Sequence, residues 1–411
     1  MSNGMKQTEL GEIPVEWDVV ELIDVLELQR GFDLPVQHRI KGSYPLIASN
    51  GKIDNHNEWK VKGPTIVTGR SGTIGKVYFE ENDCWPLNTT LYVKQMNGNF
   101  PRFLYFLLLD LDLKQYSTGT GVPTLNRNIV HKHKVALPPL PEQQKIAKIL
   151  STVDEKIAVI DEQLAKTTEL KTGLMQRLLT KGIGHTEFKD SSLGEIPKGW
   201  EVHTFGDLFT LKHGYAFEGE SFTQVKNEYL LLTPGNFHPD GGIKFVWRKQ
   251  KYYTGFVPEA YVLATGSLIV AMTDLTQDCN ILGSPAIIPD ADFKFLHNQR
   301  LGLVELKNAQ QLDIKFLYHT LNFKPYRKHM RATKTGTTVS HTSPKTIYSF
   351  VTSLPPLVEQ HQIANILTTV DEKIQVLHDK KAHYQTLKRG LMQQLLTGKL
   401  RVSVAEDVIL A

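Results

Sequence analysis

The sequence predicts an α+β protein with two similar domains and two long helices, and three observations lead to this prediction. A segment with a helical pattern, 137–180, recurs at 354–397 with 27 of 44 residues identical. A shorter motif, LGEIPVEWDV at 10–19, returns as LGEIPKGWEV at 193–202 with seven of ten residues identical. Each short motif is followed by a block of short strand-like runs. A two-copy repeat of this size indicates two related domains about a pseudo-twofold axis rather than a solenoid.

The composition is that of an ordinary globular protein, with 41% hydrophobic and 22% charged residues in a chain of 411. This length exceeds what one core usually supports, so two or more domains are expected. No apolar window suits a membrane span, and the polar N-terminus is not typical of a signal peptide. The two cysteines, Cys84 and Cys279, lack metal-binding spacing. We therefore expect a reduced, cytoplasmic protein, whose net charge of +4 permits a nucleic-acid partner without arguing for one.

The first block, within 1–136, predicts a domain of short strands and one buried helix. β-Branched and aromatic residues are concentrated in the runs 45–54, 64–79 and 91–95. Asn50-Gly51 favours a hairpin turn. The run 103–113 is too apolar for a surface element and predicts a short buried helix. A polar loop that contains glycine, 117–128, follows it.

The repeated segment predicts a long helix with a narrow apolar seam, because its apolar residues recur in alternating steps of four and three. The seam residues are Ile146, Leu150, Val153, Ile157, Ile160 and Leu164 in the first copy, and Ile363, Leu367, Val370, Ile374 and Leu377 in the second. Since the two seams match, each helix is expected to pack against the other. Roughly 38 residues at about 1.5 Å each would make a rod of about 57 Å. Glu142 and Gln143, repeated as Glu359 and Gln360, favour the positive helix start.

The second block follows the same course as the first and is 34 residues longer between the repeated motifs. Its strand-like runs end in a matching helix at 314–323 and a second polar loop at 333–344. The predicted domains are therefore 1–136 and 184–353, each followed by a helical spacer. The spacers are 137–183 and 354–400, and the tail is 401–411.

No motif in the sequence indicates an active site that is complete in this chain. The Pro-Pro pairs at 138–139 and 355–356 are flanked by leucine, which is typical of structural capping and not of an amino-methyltransferase motif. Gly119-Thr120-Gly121 does not join a strand to a helix, as a cofactor loop does. The sequence 289–294 resembles a nuclease core, but its acidic residues are fused into one turn. His131 and His133 are predicted on one side of a strand, without metal-ligand partners.

Basic and polar clusters beside the two polar loops favour contact with DNA. Gly69–Lys76 places an arginine and a lysine around three glycines, where bare backbone could approach phosphates. Lys132 and Lys134 follow the first polar loop. In the second block, 326–334 is strongly basic, and 244–252 interleaves aromatic and basic residues. The segment 271–283 takes the place of the glycine loop.

With LPPLxEQxxIAxIL…VDEKI, GLMQxLLT and LGEIPxxW each present twice, the chain resembles the specificity (S) subunit of a type I restriction–modification system. The resemblance covers nearly the whole chain. It implies two mixed α/β target-recognition domains joined by two long antiparallel coiled-coil helices with pseudo-twofold symmetry. Each domain would read one half of a bipartite, asymmetric DNA site. The chain would be prokaryotic, bind no cofactor and have no catalysis of its own.

The resemblance also implies partners. Two modification (M) subunits that carry S-adenosylmethionine would dock along the helices, so the seam residues are also candidates for that interface. Two restriction (R) subunits that use ATP and magnesium would complete the complex. The alternatives are a coiled-coil scaffold without DNA binding and, less favoured, a stand-alone methyltransferase or nuclease.

Candidate DNA-reading residues are chosen by side-chain chemistry and by position in matching loops. In the first domain they are Arg30, Asn50, Lys52, Arg70, Ser71, Thr73, Lys76, Thr120, Asn126 and Arg127. In the second domain they are His213, Tyr215, Asn236, Arg248, Lys249, Lys251, Thr273, Asp274, Thr276, Gln277, Arg331, Lys334, Thr337, Thr338, Ser340 and His341.

Overall fold

The computed structural model describes residues 4–118, 123–245, 250–276 and 278–403. The chain forms two compact units. The first unit contains Met1–Gln163 and His378–Ala411, and the second contains Leu164–Leu377. The unit boundaries fall inside the two long helices, so each unit combines one strand-rich block with part of each helix.

The first unit begins with short strands and ends in the long helices. Its strands are β1 (Met5–Thr8), β2 (Gly11–Pro14), β3 (Asp18–Glu21), β4 (Glu27–Arg30), β5 (Tyr44–Ala48), β6 (Gly51–His56), β7 (Thr65–Gly69), β8 (Val77–Glu80), β9 (Trp85–Pro86), β10 (Thr90–Gln95), β11 (Ser117–Thr118), β12 (Thr124–Leu125) and β13 (Lys134–Leu137). Its helices are α1 (Leu22–Val25), α2 (Pro101–Asp110), α3 (Arg127–His131), the first part of α4 (Leu140–Lys181) and the last part of α9 (Leu357–Leu395).

An antiparallel sheet in the order β4-β10-β7-β8 forms the centre of the first unit. The apolar run predicted as a buried helix is α2, and its Phe103, Leu104 and Phe106 are fully buried. The predicted hairpin joins β5 to β6, with Ala48 opposite Gly51. Gly51 has φ +115°, a conformation that glycine adopts without strain and that accounts for its place after the turn.

The second unit repeats this order with additional elements. Its strands are β14 (Phe188–Lys189), β15 (Ile196–Pro197), β16 (Glu201–Thr204), β17 (Phe209–His213), β18 (Phe222–Thr223), β19 (Tyr229–Leu232), β20 (Lys251–Tyr253), β21 (Val262–Leu263), β22 (Leu268–Ala271), β23 (Thr273–Asp274), β24 (Pro285–Ile287), β25 (Lys294–His297), β26 (Leu301–Leu306), β27 (Ser340–His341) and β28 (Val351–Leu354). Its helices are the last part of α4, α5 (Phe205–Leu208), α6 (Ile314–Asn322), α7 (Lys324–Ala332), α8 (Pro344–Tyr348) and the first part of α9.

The sheet β17-β26-β22-β24 is the counterpart of the central sheet of the first unit. Helix α6 is the counterpart of α2, because Phe316-Leu317-Tyr318 repeats Phe103-Leu104-Tyr105. A five-stranded sheet, β18-β20-β19-β25-β21, replaces the three-stranded sheet β6-β5-β9. This larger sheet and helix α7 account for the greater length of the second block.

The two repeated motifs meet in each unit. Strand β3 of the short motif pairs with β13, which leads into the first LPPL, and β16 pairs with β28 in the same register. Trp17 is fully buried and donates a hydrogen bond from Nε1 to Glu142 at 2.8 Å. In the second unit Trp200 donates to Glu359 at 2.9 Å. The framework of each unit is therefore closed by contacts between residues about 125 or more positions apart in sequence.

The long helices run antiparallel within each unit, as three ion pairs demonstrate. Asp154 contacts Lys388 and Asp161 contacts Lys381, each at 2.6 Å, in the first unit. Lys171 contacts Asp371 at 2.6 Å in the second. In the first unit the residue number on α9 falls by seven as that on α4 rises by seven, which only an antiparallel register allows. Lys171 and Asp371 are the repeat counterparts of Lys388 and Asp154.

Two glycines inside the helices do not mark close helix contacts. A Cβ atom added to Gly173 or Gly390 would meet nothing within 4 Å. A close helix contact is one reason for a glycine inside a helix, and the open space beside both residues excludes such a contact within each unit.

Candidate nucleic-acid interface

A cleft of about 710 Å³ in the first unit collects several of the predicted reading residues. Arg30, Arg70, Asn126 and Arg127 all line it. Glu27 and Asp33 line it as well, so its charge is mixed rather than purely basic. The remaining polar lining residues are Gln29, Thr118, Thr124 and Asn128.

The cleft forms because the glycine loop after β7 joins the polar loop before α3. The Leu125 amide donates to the Arg70 carbonyl at 2.7 Å, and Ser71 forms an isolated antiparallel bridge with Thr124. Arg70 Nε donates to the Asn88 carbonyl at 3.2 Å, which orients the guanidinium. The side chain of Asn126 accepts from the Asn128 amide and caps α3. These contacts hold the two loops together and orient the side chains of Arg70 and Asn126.

Only part of the glycine loop matches the prediction of bare backbone open to phosphate. A Cβ on Gly69 would lie 1.8 Å from the Thr73 carbonyl oxygen, and one on Gly75 would lie 3.1 Å from Lys114. These two glycines are needed for a tight turn against the protein itself. Gly72 has only Ser49 Oγ nearby, at 3.6 Å, and stays open.

Five predicted residues of the first unit do not line the cleft. Asn50, Lys52 and Lys76 are exposed outside it, and Ser71 and Thr73 are half-buried. Thr120 lies outside the described residues.

His131 and His133 do not share one side of a strand, so that prediction is wrong. His131 is the last residue of α3, and His133 precedes β13. His131 Nε2 accepts from the Leu28 amide at 2.9 Å, and the Tyr116 hydroxyl contacts His133 Nδ1 at 2.7 Å. Burial lowers the pKa of both imidazoles. Both histidines therefore act as neutral partners inside the fold.

The corresponding site of the second unit is built on a two-stranded ladder. Strand β23 pairs with β27, with Thr273 opposite His341 and Asp274 opposite Ser340. Residues 273–276 and 340–341, which the sequence placed in two separate reading segments, are thus neighbours. His341 and Thr276 are exposed at this ladder.

Four predicted readers are buried, so their side chains are not open to a base in this structure. Asp274 is 0% exposed, and its carboxylate accepts from the amides of Thr276, Ile281 and Leu282 at 2.6, 2.7 and 3.0 Å. Its role is to hold the loop. The others are Thr273, Ser340 and Asn236, and the side-chain amide of Asn236 donates to Gln250 at 2.9 Å. The polarity of these residues in the sequence did not show whether each side chain is buried and bonded to its own loop or exposed to solvent.

The basic segment 326–334 is divided between core and surface. Tyr326, Arg327 and Met330 on α7 are buried, and the Arg327 guanidinium donates to the Asn280 carbonyl. Desolvation lowers the pKa of Arg327. Arg331 and Lys334 are exposed. The surface part of this cluster is therefore smaller than its sequence indicates.

The other predicted residues of the second unit have different surroundings. Thr337, Thr338, His213 and Lys251 are exposed. Tyr215 is half-buried and packs on Phe217 and Tyr261, with ring centroids 5.1 and 5.2 Å apart. Arg248, Lys249 and Gln277 lie outside the described residues.

The seam residues pack inside each unit. Eight are buried, namely Ile146, Leu150, Val153, Ile160, Leu164, Ile363, Leu367 and Leu377, while Ile157, Val370 and Ile374 are half-buried. Ile146 and Leu150 share one apolar cluster with Met392 and with the core of the first strand-rich block. These side chains join helix to helix and helix to domain. The eight buried side chains are covered in this structure, so a docked protein would not contact them in this arrangement.

The sequence did not indicate the contacts of Glu142 and Glu359, although both lie in the repeated LPPLxEQ motif. Besides Trp17, Glu142 accepts from Arg401 Nε at 3.0 Å. Glu359 accepts from the Ile183 amide at 2.9 Å and contacts His185 at 2.8 Å. The available signal was the fixed recurrence of a tryptophan and a glutamate in two repeated motifs, which indicates a pair.

None of the helices in the described ranges is long and apolar enough to cross a membrane. In the same ranges, no group of three or more His, Cys, Asp or Glu side chains is placed to hold a metal ion.

The fold and the two polar sites define a duplicated α+β protein in which one framework presents two different surfaces. The family of the type I restriction modification DNA specificity domain matches residues 14–169 and 197–383. The chain belongs to this family.

Known proteins are similar to the chain over nearly its whole length. The type I restriction enzyme MjaVIII specificity subunit of Methanocaldococcus jannaschii is 27% identical, and the match covers 95% of this chain and 94% of that protein. The crystal structure of a type I restriction-modification S subunit from M. genitalium has a TM-score of 0.64 at 15% identity, covering 92% and 96%. A structure reported for complex assembly and conformational transition of the type I R-M system has a TM-score of 0.52 at 14% identity, covering 94% and 99%. These two likenesses show a shared fold.

Proposed function

We propose that this chain recognises a bipartite, asymmetric DNA sequence for a type I restriction–modification complex in a prokaryotic cytoplasm. The observation that carries the proposal is the pairing of one repeated framework with two unlike polar sites. A repeated framework presents both sites in equivalent surroundings, and unlike side chains read unlike bases. The target is therefore not a palindrome.

The first half-site would be read by the cleft of the first unit. Arg70 and Arg30 supply guanidinium groups of the kind that bind guanine edges, and Asn126 and Arg127 line the same cleft. The second half-site would be read around the β23–β27 ladder, where Thr276, His341, Arg331 and Lys334 are exposed. Lysines and arginines beside these sites would contact phosphates and make binding depend on salt.

In this proposal the chain does no chemistry and binds no cofactor. Modification subunits would bring S-adenosylmethionine, and restriction subunits would bring ATP and magnesium. The full-length similarity to a protein named a specificity subunit supports this division of labour.

We further propose that two modification subunits dock on a repeated face of the helices, which replaces the seam as the partner interface. This repeated face consists of Ile149, Thr152, Lys156, Val159, Leu387 and Gly390 in the first unit and of their counterparts Ile366, Thr369, Lys373, Val376, Leu170 and Gly173 in the second. Val159, Leu170, Val376 and Leu387 are 40–55% exposed. These four exposed apolar residues are identical between the two copies of the repeat. Packing inside the fold does not explain this identity, because their side chains are largely exposed.

These residues share one side of the helices in each unit. The Asp154–Lys388 pair sets Leu387 opposite Glu155 and Gly390 opposite Thr152. Ile149 and Leu387 occupy the same heptad position, the one next to the seam, on their respective helices. In an antiparallel pair, the residues at this position of both helices lie on the same side of the pair. Two equivalent faces on one chain fit two copies of one partner, and the open glycine lets a partner helix approach closely.

The docking proposal is tested by co-expression with a cognate modification subunit. V159D should reduce the bound modification subunits from two to one, and V159D/V376D should bind none, as measured by the mass of the purified complex. A158D, one position away and also exposed, is the matched control and should keep two. Two bound subunits in the double variant would contradict the repeated face as the docking site.

The recognition proposal is tested by mapping methylated adenines in cells that express the complex. A bipartite motif with unlike halves is expected. R70A should relax the first half only, and R331A the second half only. A palindromic motif, or methyl transfer from labelled S-adenosylmethionine by this chain alone, would contradict the proposal.

A further inference from the structure

Leu275 is an apolar side chain displayed at the centre of the second polar site. It is 66% exposed and stands between Asp274 and Thr276, beyond the end of β23. Leucine normally gains by burial, so a strongly exposed one at a proposed binding site calls for an apolar partner.

The backbone beside Leu275 is held firmly. The buried Asp274 carboxylate accepts the three amides described above, two of them from the returning chain at Ile281 and Leu282. Thr276 Oγ1 accepts from the Asn280 amide at 3.1 Å. The leucine is therefore presented on an ordered turn, and a contact that it makes costs little conformational entropy.

The groups around this turn are polar and basic. The ladder places exposed His341 beside Thr273, and Lys334 Nζ donates to Cys279 Sγ at 3.0 Å. Hydroxyl, imidazole and ammonium groups suit hydrogen bonds to base edges and phosphates. Leu275 is the exposed side chain of this turn that can read an apolar group.

The first unit has a different side chain at the matching position. Gly69 pairs with the first residue of β10 as Ala271 pairs with the first residue of β26, so the strand register matches Leu275 with Thr73. Thr73 is half-buried, whereas Leu275 is strongly exposed. The two sites thus differ in an apolar contact as well as in hydrogen-bonding groups.

We propose that Leu275 reads a thymine in the second half-site by packing on its 5-methyl group. This inference rests on the proposed function. The thymine methyl is the apolar group that base pairs display in the major groove, and leucine can fill the space against it without a hydrogen bond. The second half-site must then contain at least one A·T pair whose thymine cannot be replaced freely.

The test measures binding of the complex with modification subunits to duplexes carrying the mapped motif. Each thymine of the second half-site is replaced in turn by uracil, which lacks only the methyl group. One uracil should weaken binding on the order of fourfold, the value of one buried methyl group. L275A should weaken binding to the native duplex to a similar degree and should no longer distinguish that uracil from thymine. L275M should keep the discrimination.

Two controls isolate the contact. V225A changes another strongly exposed apolar side chain of the same unit, 74% exposed, and should leave the uracil effect intact. Uracil in the first half-site should have equal effects on native and L275A complexes.

Equal uracil effects in both proteins at every second-half thymine, or a second half-site without A·T pairs, would overturn the inference. The duplex can also carry 2-aminopurine beside the thymine. If its fluorescence rises on binding while uracil has no effect, the thymine contact is overturned in favour of a leucine inserted between two bases. Loss of all sequence preference in the native complex would instead refute the proposed function.

Discussion

Two glutamates join the repeated motifs at the level of single side chains. Glu142 is 3% exposed and bonds both Trp17 and Arg401. Replacing it with alanine leaves the buried indole N–H of Trp17 without its acceptor and removes one of the two carboxylates that Arg401 contacts, the other being Glu16. Such a loss costs about 1–3 kcal/mol. We expect E142A to lower the free energy of unfolding by about 2 kcal/mol, measured by urea denaturation. E169A, on an exposed stretch of α4, is the control and should change it by less than about 0.5 kcal/mol. Equal stabilities of E142A and E169A would contradict the role of the contact.

A buried histidine makes the second unit sensitive to acid. Burial lowers the pKa of His297 to about 4, and its Nε2 contacts the Leu301 carbonyl oxygen at 3.0 Å. Because the folded pKa lies below the ordinary 6.5, the unfolded chain binds the proton first. This contribution to stability is present above about pH 6.5 and is lost as the pH falls toward 4.

The native protein should therefore lose about 2 kcal/mol from this group between pH 7.5 and pH 5. H297Q should show a pH-dependent loss smaller by that amount, measured by urea denaturation at the two pH values. H38Q changes an exposed histidine and should retain the full loss. If H297Q and the native protein lose the same free energy, His297 does not titrate in this window.

At the level of elements, the ion pairs between α4 and α9 define the helix register. The pair Asp154–Lys388 is partly buried, with side chains 36% and 16% exposed. D154K or K388D alone should destabilise the protein by about 1–2 kcal/mol, because like charges then face each other in a partly desolvated position. The double variant D154K/K388D should recover more than half of that loss, measured by thermal unfolding.

A mismatched exchange tests the register itself. D154K/K381D combines the same charge types, but Lys381 pairs with Asp161. This variant should show no recovery. Rescue by the mismatched exchange equal to that by the matched one would mean that the ion pairs do not set the register.

The elements also show how far sequence reasoning reached. The strand-like runs were predicted from their β-branched and aromatic residues, the buried helix from its apolar content, and the seams from the spacing of their apolar residues. Helix α7 was not predicted. Its buried residues Tyr326, Arg327 and Met330 lie in a segment whose basic composition is typical of an exposed surface. The reading sites were predicted in part, since the cleft collects four chosen residues while the ladder of the second unit buries three. Burial of a polar side chain depends on distant segments such as β27, and no local pattern reports it.

At the level of the whole molecule, the helices are proposed to set the distance between the two half-sites. Inserting one heptad after Gln163 and one after Leu377 adds about 10 Å to each helix while keeping the seam in phase. The gap in the methylated motif should grow by about three base pairs, with both half-sites unchanged. Methylation mapping of the variant checks this. Altered half-sites with the original gap would contradict the helices as the spacer.

The sequence by itself determined that this protein is duplicated, α+β and built on two matching helices, because repetition and apolar periodicity are properties of the chain that need no coordinates. Only the tertiary structure decided which polar residues face outward and that Trp17 and Trp200 bond the repeated glutamates. The reason is physical: exposure and hydrogen bonding are set by residues that become neighbours only on folding.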